Sequence, residues 1–332
     1  MGNCHQMTSM ESVSSPMTSV VISNPEDLVT AIRSANLEPL MLTRNTDSSR
    51  LARISFPDVC LDFATIGSSF LFTGVMPMGC YTLLFVLESP IQGRAFNLGV
   101  DHHGGYMAMY PPGHEVDAYV PAGYSNATLT VPPELFHEIV DKSFPEIPQP
   151  LLQRGLGIRI DEQDQLRLRS LLAEVREVMR EPKGAASGET GRLLLQHQLL
   201  DAFLMALSGG IKTPGPRLKS RAVGATKRLR TARDLIAESA RRPVQVGELG
   251  EKLGMSRRGV ELLFRKSLGV GPGKFLQLHR LHGVRRDLLT SEFTAGIISE
   301  VAIKWGFLHL GHFARNYRLL FGENPRDTLT RR

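Results

Sequence analysis

The stretch that decides the fold of the last third of the chain is EVAIKWGFLHLGHFARNYRLLFGENP, residues 300 to 325. It indicates two short helices separated at Gly306-Phe307, because glycine readily adopts the left-handed backbone that ends a helix. Apolar residues of the second helix recur at three- and four-residue steps, which predicts a face packed on a core. They are Leu310, Phe313, Tyr317 and Leu320. The opposite face carries His312, Arg315 and Arg318, so it is either a solvated surface or a face that enters a groove of DNA.

The same pattern occurs some fifty residues earlier, in VQVGELGEKLGMSRRGVELLFRKSLGVGP, residues 244 to 272. A short amphipathic helix over 246–253 is closed by Gly254, and Ser256 caps a second helix over 257–268. Its predicted core face is Val260, Leu263, Phe264 and Leu268. Two helices of this size joined by a three- or four-residue turn with glycine predict a helix-turn-helix unit.

The two copies are joined by GPGKFLQLHRLHGVRRDLLT, residues 271–290, which predicts a basic amphipathic helix. The Gly306 turn matches the Gly254 turn, and Phe313 and Tyr317 fall where the first copy has Val260 and Phe264. One chain thus carries two predicted helix-turn-helix units on a rigid spacer. Recognition helices held about 34 Å apart can enter two successive major grooves on one face of DNA.

Charge is divided unevenly along the chain. Residues 217–332 contain 24 Lys and Arg against 10 Asp and Glu, whereas residues 1–216 contain 15 against 23. A basic C-terminal third on an acidic body favours a polyanionic partner for one domain only, although a solvated basic surface would give the same count.

The first two-thirds of the chain has a different pattern of residue types. Residues 1–22 are predicted to be disordered, and NPEDLVTAIRSA (24–35) predicts a short helix with Pro25 in its first turn. Short β-branched and aromatic runs with turn residues between them follow from about 40 to 135, which is typical of an antiparallel β barrel or sandwich, here cupin-like. Two helices over 161–181 and 189–208 complete a helical hairpin. The second is apolar on two sides, so it covers the barrel and a further surface, for which a second subunit is one candidate.

The predicted fold class is therefore α+β: an N-terminal antiparallel barrel with a helical hairpin, then an all-α domain of two helix-turn-helix units joined by a linker helix. The predicted domains are a disordered N-terminus (1–22), a regulatory and dimerisation domain (23–208), a Gly/Pro-rich linker (209–225) and a tandem DNA-binding domain (226–332).

The last hundred residues resemble the DNA-binding domain of the AraC/XylS family of bacterial transcription regulators. The resemblance covers about 226–330 and rests on the tandem units and on the second-copy signature WGF…FARNYRLLFGENP. It implies a DNA-binding regulator with an N-terminal regulatory domain, and Arg315 matches the family pattern. The chain departs from that pattern at His309 and Gly311, where small polar residues are usual, and at Leu262, where arginine is common.

We expect contacts with double-stranded DNA from the exposed polar residues of both recognition helices. They are Arg257, Arg258, Glu261 and Arg265 in the first unit, and His309, His312, Arg315 and Arg318 in the second. Each of them is a candidate for either a base or a phosphate contact. We expect Leu253, Phe264, Trp305, Phe307 and Phe321 to lie in the core.

No nucleophile, phosphate-binding loop or metal-ligand spacing is recognisable, so we expect no enzyme activity, no metal and no cofactor. The histidines of DHHGG (101–105) and GHE (113–115) are not spaced as ligands, because His102 and His103 would point to opposite faces of a strand. A small-molecule effector remains expected. The barrel interior, lined by Phe70, Phe72, Tyr81 and Phe85 unless these are plain core, is one candidate site for a metabolite.

The other candidate effector site is RLKSR, in which Arg217 and Arg221 are spaced as in the arginine pair with which PilZ-type receptors hold a cyclic dinucleotide. The spacing is common in basic linkers and recurs in REVMR (176–180). A ligand held there would act directly on the relative placement of the two domains.

The sequence thus predicts a cytoplasmic, homodimeric, effector-responsive transcription activator that binds DNA and RNA polymerase and no membrane. The alternative is a DNA-binding protein whose N-terminal domain only dimerises. Operator, regulated genes, sign of regulation and effector identity are not encoded in any recognisable motif.

Overall fold

The computed structural model describes residues 17–32, 35–45, 47–90, 95–97, 100–102, 104–178, 180, 188–212, 220–238 and 245–331. The chain divides into two compact units. The N-terminal unit comprises Met1–Glu38, Asp47–Gly67 and Phe72–Arg217, and the C-terminal unit comprises Leu218–Arg332 together with Pro39–Thr46 and Ser68–Leu71.

The strands are β1 (Met17–Ile22), β2 (Asn36–Thr43), β3 (Ser49–Ser55), β4 (Cys60–Ile66), β5 (Ser69–Val75), β6 (Tyr81–Glu88), β7 (Ala95–Asn97), β8 (Val100–His102), β9 (Tyr106–Tyr110), β10 (Glu115–Val120), β11 (Tyr124–Val131) and β12 (Leu156–Arg159). The helices are α1 (Pro25–Ala31), α2 (Pro133–Ser143), α3 (Gln149–Leu152), α4 (Glu162–Val178), α5 (Glu189–Lys212), α6 (Ser220–Glu238), α7 (Val246–Leu253), α8 (Arg257–Leu268), α9 (Pro272–Thr290), α10 (Ile297–Lys304), α11 (Leu310–Phe321) and α12 (Pro325–Leu329). The predicted α+β class, strands first and helices after, is confirmed.

The strands form two sheets, one ordered β1-β3-β4-β11-β6-β9-β12 and one ordered β2-β5-β10-β7-β8. In the seven-stranded sheet the paired strands run antiparallel, as when Leu83 of β6 lies opposite Leu129 of β11. Side chains alternate between the faces of a strand, so each strand here contributes to two different environments. Leu83, Phe85 and Leu129 point to the face that α2, α4 and α5 cover, where they join Phe136 and Phe203 in one apolar core.

The other face of the same sheet is partly polar. Thr82 and Leu84 of β6, and Asn126 and Thr128 of β11, alternate with the core residues and line a cavity. Of the four aromatic residues that are candidates for this lining, Phe72 lines the cavity. The alternative, plain core, holds for the other three, since Tyr81 and Phe85 lie in the helix-covered core and Phe70 is buried outside the lining.

Two boundaries predicted from composition differ from the structure. Residues Met17–Ile22 are not disordered but form β1, which pairs in continuous register with β3, because their β-branched side chains suit a strand. Residues 1–16 lie outside the described residues. The expected linker 209–225 is helical at both ends, since α5 continues to Lys212 and α6 begins at Ser220. Residues 213–219 between them lie outside the described residues.

Helix α9 is the centre of the C-terminal unit. Phe275, Leu278, Leu281, Val284 and Leu288 are buried along it, as predicted, and α8, α10 and α12 pack on it. Gly283 lies directly against the ring of Trp305, so that a Cβ atom at position 283 would overlap the indole. The indole ring therefore occupies the volume that any side chain larger than glycine would need at position 283.

One acidic residue fixes the end of α10 to α9. Asp287 accepts hydrogen bonds from Lys304 Nζ at 2.8 Å and from Trp305 Nε1 at 3.0 Å. Burial raises the pKa of Asp287, but the bonds from Lys304 and Trp305 outweigh it and hold the pKa below its ordinary value. Within the described part of the chain, no helix is long and apolar enough to cross a membrane.

Replacing Gly283 with alanine tests this close packing. Alanine at an unconstrained helix position stabilises a protein by up to about 1 kcal/mol, but here the added methyl meets the indole, and we expect a loss of about 1–3 kcal/mol in the free energy of unfolding. The measurement is urea unfolding followed by the fluorescence of Trp305, the single tryptophan of the chain.

Gly273 is the matched control, because it lies on the same helix and a methyl group added there would have no atom within 4 Å. Gly273→Ala should leave the stability unchanged or raise it. Equal effects of the two substitutions would contradict the packing argument.

The Asp287 contacts predict a pH dependence. A carboxylate with a depressed folded-state pKa contributes stability above its unfolded-state pKa of about 4 and loses it as the pH falls through the folded value. We expect the urea midpoint reported by Trp305 to fall on acidification below about pH 4. Asp287→Asn should lower the midpoint at neutral pH and should make the midpoint depend less on pH below about pH 4. Glu292→Gln, at an exposed carboxylate, is the control that should keep the wild-type profile.

Candidate nucleic-acid interface

The first helix-turn-helix unit has the boundaries that the sequence predicts. Helix α7 ends at Gly254, which has a φ of 60°, and the amide of Met255 donates to the carbonyl oxygen of Gly250 at 2.8 Å. The side chain of Ser256 caps α8 by accepting a hydrogen bond from the amide of Gly259 at 3.2 Å. The predicted core face of α8 is confirmed, since Val260, Leu263, Phe264 and Leu268 are buried.

Burial of that face leaves the opposite face of α8 in solvent. Arg257, Arg258 and Arg265 are exposed on it. Glu261 accepts a hydrogen bond from Arg265 Nε at 2.6 Å, one helical turn away. The carboxylate therefore restrains the direction of this guanidinium, although the pair is too exposed to add much stability.

The second unit repeats the geometry of the first turn. Gly306 has a φ of 81°, and the amide of Phe307 donates to the carbonyl oxygen of Ala302 at 2.9 Å, as Met255 does to Gly250. The recognition helix ends in the same way in both copies, at Gly269 and at Gly322, each with a positive φ. The structure thus shows two copies of one motif. The second has a longer connection between its helices, 305–309 instead of 254–256.

Helix α11 presents its predicted polar face. His312, Arg315 and Arg318 are exposed, while Phe313, Tyr317, Leu320 and Phe321 are buried. His309 is exposed at the N-cap position, with its ring 6.3 Å from that of His312. The polar residues expected to contact DNA therefore all lie in solvent in this unit.

The expectation that Leu310 belongs to the buried face is wrong. Its side chain is 39% exposed, because it lies at the first residue of α11, beyond the edge of the core that Phe313 begins. Among the five expected core residues, Phe264, Trp305 and Phe321 are buried, whereas Leu253 and Phe307 are half-buried. Phe307 still packs on Phe313, with ring centroids 5.1 Å apart.

The end of α11 is held by a buried polar network. Arg285 of α9 is 1% exposed and donates to Glu323 Oε1 at 2.8 Å and to Thr328 Oγ1 at 3.2 Å. The hydroxyl of Tyr317 donates to the same threonine at 2.9 Å, and the guanidinium lies over the ring of Phe321 at 4.6 Å. A buried charge is tolerated only with such partners, so this network fixes α11 and α12 on the spacer helix.

Sequence reasoning missed this network and part of the exposed surface. Leu262 is exposed between Arg258 and Lys266 on α8, at the four-residue spacing that places all three on one face. Leu308 and Leu319 are exposed near the cations of the second unit in the sequence. Helical spacing alone would have placed Lys266 and Leu262 on the surface.

The structure brings the predicted residues together within each unit but does not describe every candidate. Arg217 lies outside the described residues, and Arg221 is in α6 with a side chain that is not described. Within the described residues, no group of three or more His, Cys, Asp or Glu side chains is placed to hold a metal ion. His103 is outside the described residues, and the ring of His114 lies beside Tyr110.

A family model described as a helix-turn-helix domain matches residues 249–331. The probable thc operon regulatory protein of Rhodococcus erythropolis is 35% identical over 101 residues, which are 30% of this chain and 30% of that protein. The XylDLEGF operon transcriptional activator of Pseudomonas putida is 39% identical over 94 residues, which are 28% of this chain and 29% of that protein. The chain thus matches under a third of the length of each relative. The crystal structure of the AraC-like transcriptional activator CuxR is similar with a TM-score of 0.42 and 12% identity, over 82% of this chain and 96% of that chain.

Two exposed basic recognition helices on one spacer define a tandem helix-turn-helix DNA-binding domain. The C-terminal helical region of this chain matches a helix-turn-helix domain and is similar in sequence to part of the XylDLEGF operon transcriptional activator.

Substitution of Arg315 separates two roles for this exposed guanidinium. If Arg315 contacts a base edge, Arg315→Ala should weaken binding to the preferred site by about 1–3 kcal/mol and relax the preference at one position. Competition mobility-shift assays with every single-base variant of the site measure this.

Arg167→Ala, which removes an exposed arginine from α4, controls for the loss of net charge. Equal weakening of Arg315→Ala on all sequences, with a shallower salt dependence, would show a phosphate contact instead.

Proposed function

We propose that this chain is a sequence-specific DNA-binding transcription regulator that activates transcription and places α8 and α11 in successive major grooves. The observation that carries the proposal is the repetition of one turn geometry at Gly254 and Gly306, each followed by a helix with an exposed cationic face. The spacer α9 has 19 residues and is about 28 Å long. That length suits recognition helices roughly one turn of DNA apart, or about 34 Å.

Activation is proposed because similar proteins act in this way. The relative from Pseudomonas putida is named as a transcriptional activator. An activator of this kind works in the cytoplasm and contacts RNA polymerase while bound beside it. The similar proteins are regulators, which also supports the absence of an enzyme activity in this chain.

We further propose that the N-terminal unit binds a small-molecule effector and forms a homodimer. A cavity in this unit supports the first point. Leu194 and Met205, exposed on α5 although most of that helix is buried, support the second. A cyclic dinucleotide at Arg217 and Arg221 is the alternative effector, and its test is a thermal shift that Arg217→Ala/Arg221→Ala abolishes. A purely dimerising N-terminal unit would show no shift with any metabolite.

The proposal for DNA is tested by selecting binding sites from random double-stranded DNA with the purified full-length chain. We expect a site with two recognised segments whose centres are about 10 base pairs apart. Inserting about five base pairs between the segments places them on opposite faces of the duplex and should abolish the high-affinity complex.

Single substitutions then assign each segment to one helix. Arg258→Ala on α8 should relax selection in one segment, and Arg318→Ala on α11 should relax it in the other, while Arg167→Ala changes neither. Equal binding to all sequences, governed by salt alone, would refute sequence-specific regulation.

A further inference from the structure

The N-terminal unit contains a cavity of about 150 Å³. It lies between the face of the seven-stranded sheet opposite α2, α4 and α5 and a wall to which α1, β5 and β10 contribute. Its wall is mainly aliphatic and aromatic. The apolar lining includes Leu51, Ile66, Phe72, Leu84, Val116 and Val120. A cavity of this volume with such a wall accommodates a benzene-sized molecule.

Six polar side chains interrupt this apolar wall, and three of them carry a buried atom without a partner among the described residues. Thr82 Oγ1, Tyr110 Oη and Asn126 Oδ1 are buried and have no hydrogen-bond partner among the described residues. Thr82 and Tyr110 are each 1% exposed. A buried polar atom without a partner costs about 1–3 kcal/mol, so three of them at one cavity indicate an absent partner.

The sheet register makes two of the three groups neighbours. Thr82 on β6 lies directly opposite Tyr110 on β9. Asn126 is on β11, the other neighbour of β6, where it lies opposite Val86, four residues beyond Thr82. Burial raises the pKa of Tyr110 well above its ordinary value, so its phenol remains a neutral donor. The site thus offers two hydroxyl groups, which donate or accept, and one amide oxygen, which accepts.

The charges at the cavity exclude an ionised ligand. Among the described residues of the lining, Asp62 is the one ionisable acid or base other than tyrosine, and Arg53 Nε and Nη2 already bind its two oxygens at 2.7 Å each. The same described lining contains no cation to neutralise a carboxylate or phosphate. An apolar wall of this kind makes the entry of an unpaired charge costly.

We propose that this cavity binds a neutral molecule about the size of one six-membered ring, with one hydroxyl group bound by Thr82 and Tyr110. The hydroxyl of such a molecule accepts from Tyr110 Oη and donates to Thr82 Oγ1, while its ring contacts the apolar wall. The inference rests on the proposed effector-responsive function, for which it names the ligand class.

The test compares three ring compounds of similar size: phenol, toluene and benzoate. Their dissociation constants for the full-length chain are measured at neutral pH by ligand-observed NMR titration, without DNA. Phenol should bind about tenfold more tightly than toluene, because toluene leaves the polar atoms unpaired. Benzoate should not bind, because it is ionised.

Two variants locate the binding at the cavity. Tyr110→Phe and Thr82→Val each remove one polar partner and should bring the affinity for phenol close to that for toluene. Tyr119→Phe is the matched control, because Tyr119 lies on β10 between the lining residues Ala118 and Val120 and is not itself in the lining. It should keep the preference for phenol.

Ala118→Leu fills the cavity from its wall and should abolish binding of both phenol and toluene. Circular dichroism and the DNA complex verify that each variant is folded. No phenol binding by the wild-type chain, a preference for benzoate, or phenol binding that survives Tyr110→Phe, Thr82→Val and Ala118→Leu would overturn the inference. If the wild-type chain does not bind phenol, water is the remaining partner for the polar atoms of the cavity.

DNA affinity is measured separately, with and without phenol. Phenol binding without an effect on the DNA complex would contradict the effector part of the proposed function and leave the ligand assignment in place. Loss of sequence-specific DNA binding would contradict the proposed function independently of the cavity.

Discussion

Both helix-turn-helix units depend on packing against one helix, α9. Its apolar residues are distributed around most of its circumference, from Phe275 to Leu288, because α8 packs on it near one end and α10 and α12 pack on it further along. A spacer that is buried in this way cannot bend freely, since bending would open both interfaces. The separation of the two cationic recognition faces is therefore set by the length of α9 and by its contacts.

The two ends of the spacer are held by different kinds of contact. At the first unit, the contact is apolar, with Phe264 and Phe275 packed edge to face at 5.3 Å. At the second unit, charge and hydrogen bonds add to the packing through Arg285 with Glu323, and through Asp287 with Lys304. These directional bonds specify one orientation of α11, because a buried guanidinium without its partners would be strongly destabilising.

The N-terminal sheet shows how one strand serves two purposes. In β6, Leu83 and Phe85 point to the helices, and Thr82 and Leu84 point to the cavity. The helix-covered face supplies the apolar burial that holds the unit together. The other face does not have to supply this burial, so it can contain polar atoms without hydrogen-bond partners. Such atoms lower the stability of the folded chain, and a bound ligand that hydrogen-bonds to them would restore it.

Much of the C-terminal unit could be predicted from the sequence. Three- and four-residue apolar spacing, Gly254 and Ser256 were sufficient to place α7 and α8 at their observed boundaries, because these signals are local. Burial at Leu310 was predicted wrongly, since periodicity does not show where a core ends. Strand β1 was missed because a short segment is ordered by its partner β3, which lies some thirty residues away.

By itself, the sequence determined the tandem motif, the basic C-terminal third and the exposed face of each recognition helix, because helix periodicity, caps and charge are written in neighbouring residues. Only the tertiary structure decided that Arg285 is buried among Glu323, Thr328 and Phe321. It also decided that Thr82, Tyr110 and Asn126 face one cavity while Tyr81 and Phe85 do not. The physical reason is the same in both cases: burial and strand register are set by residues far apart in the chain, and a shift of one position exchanges the two faces of a strand.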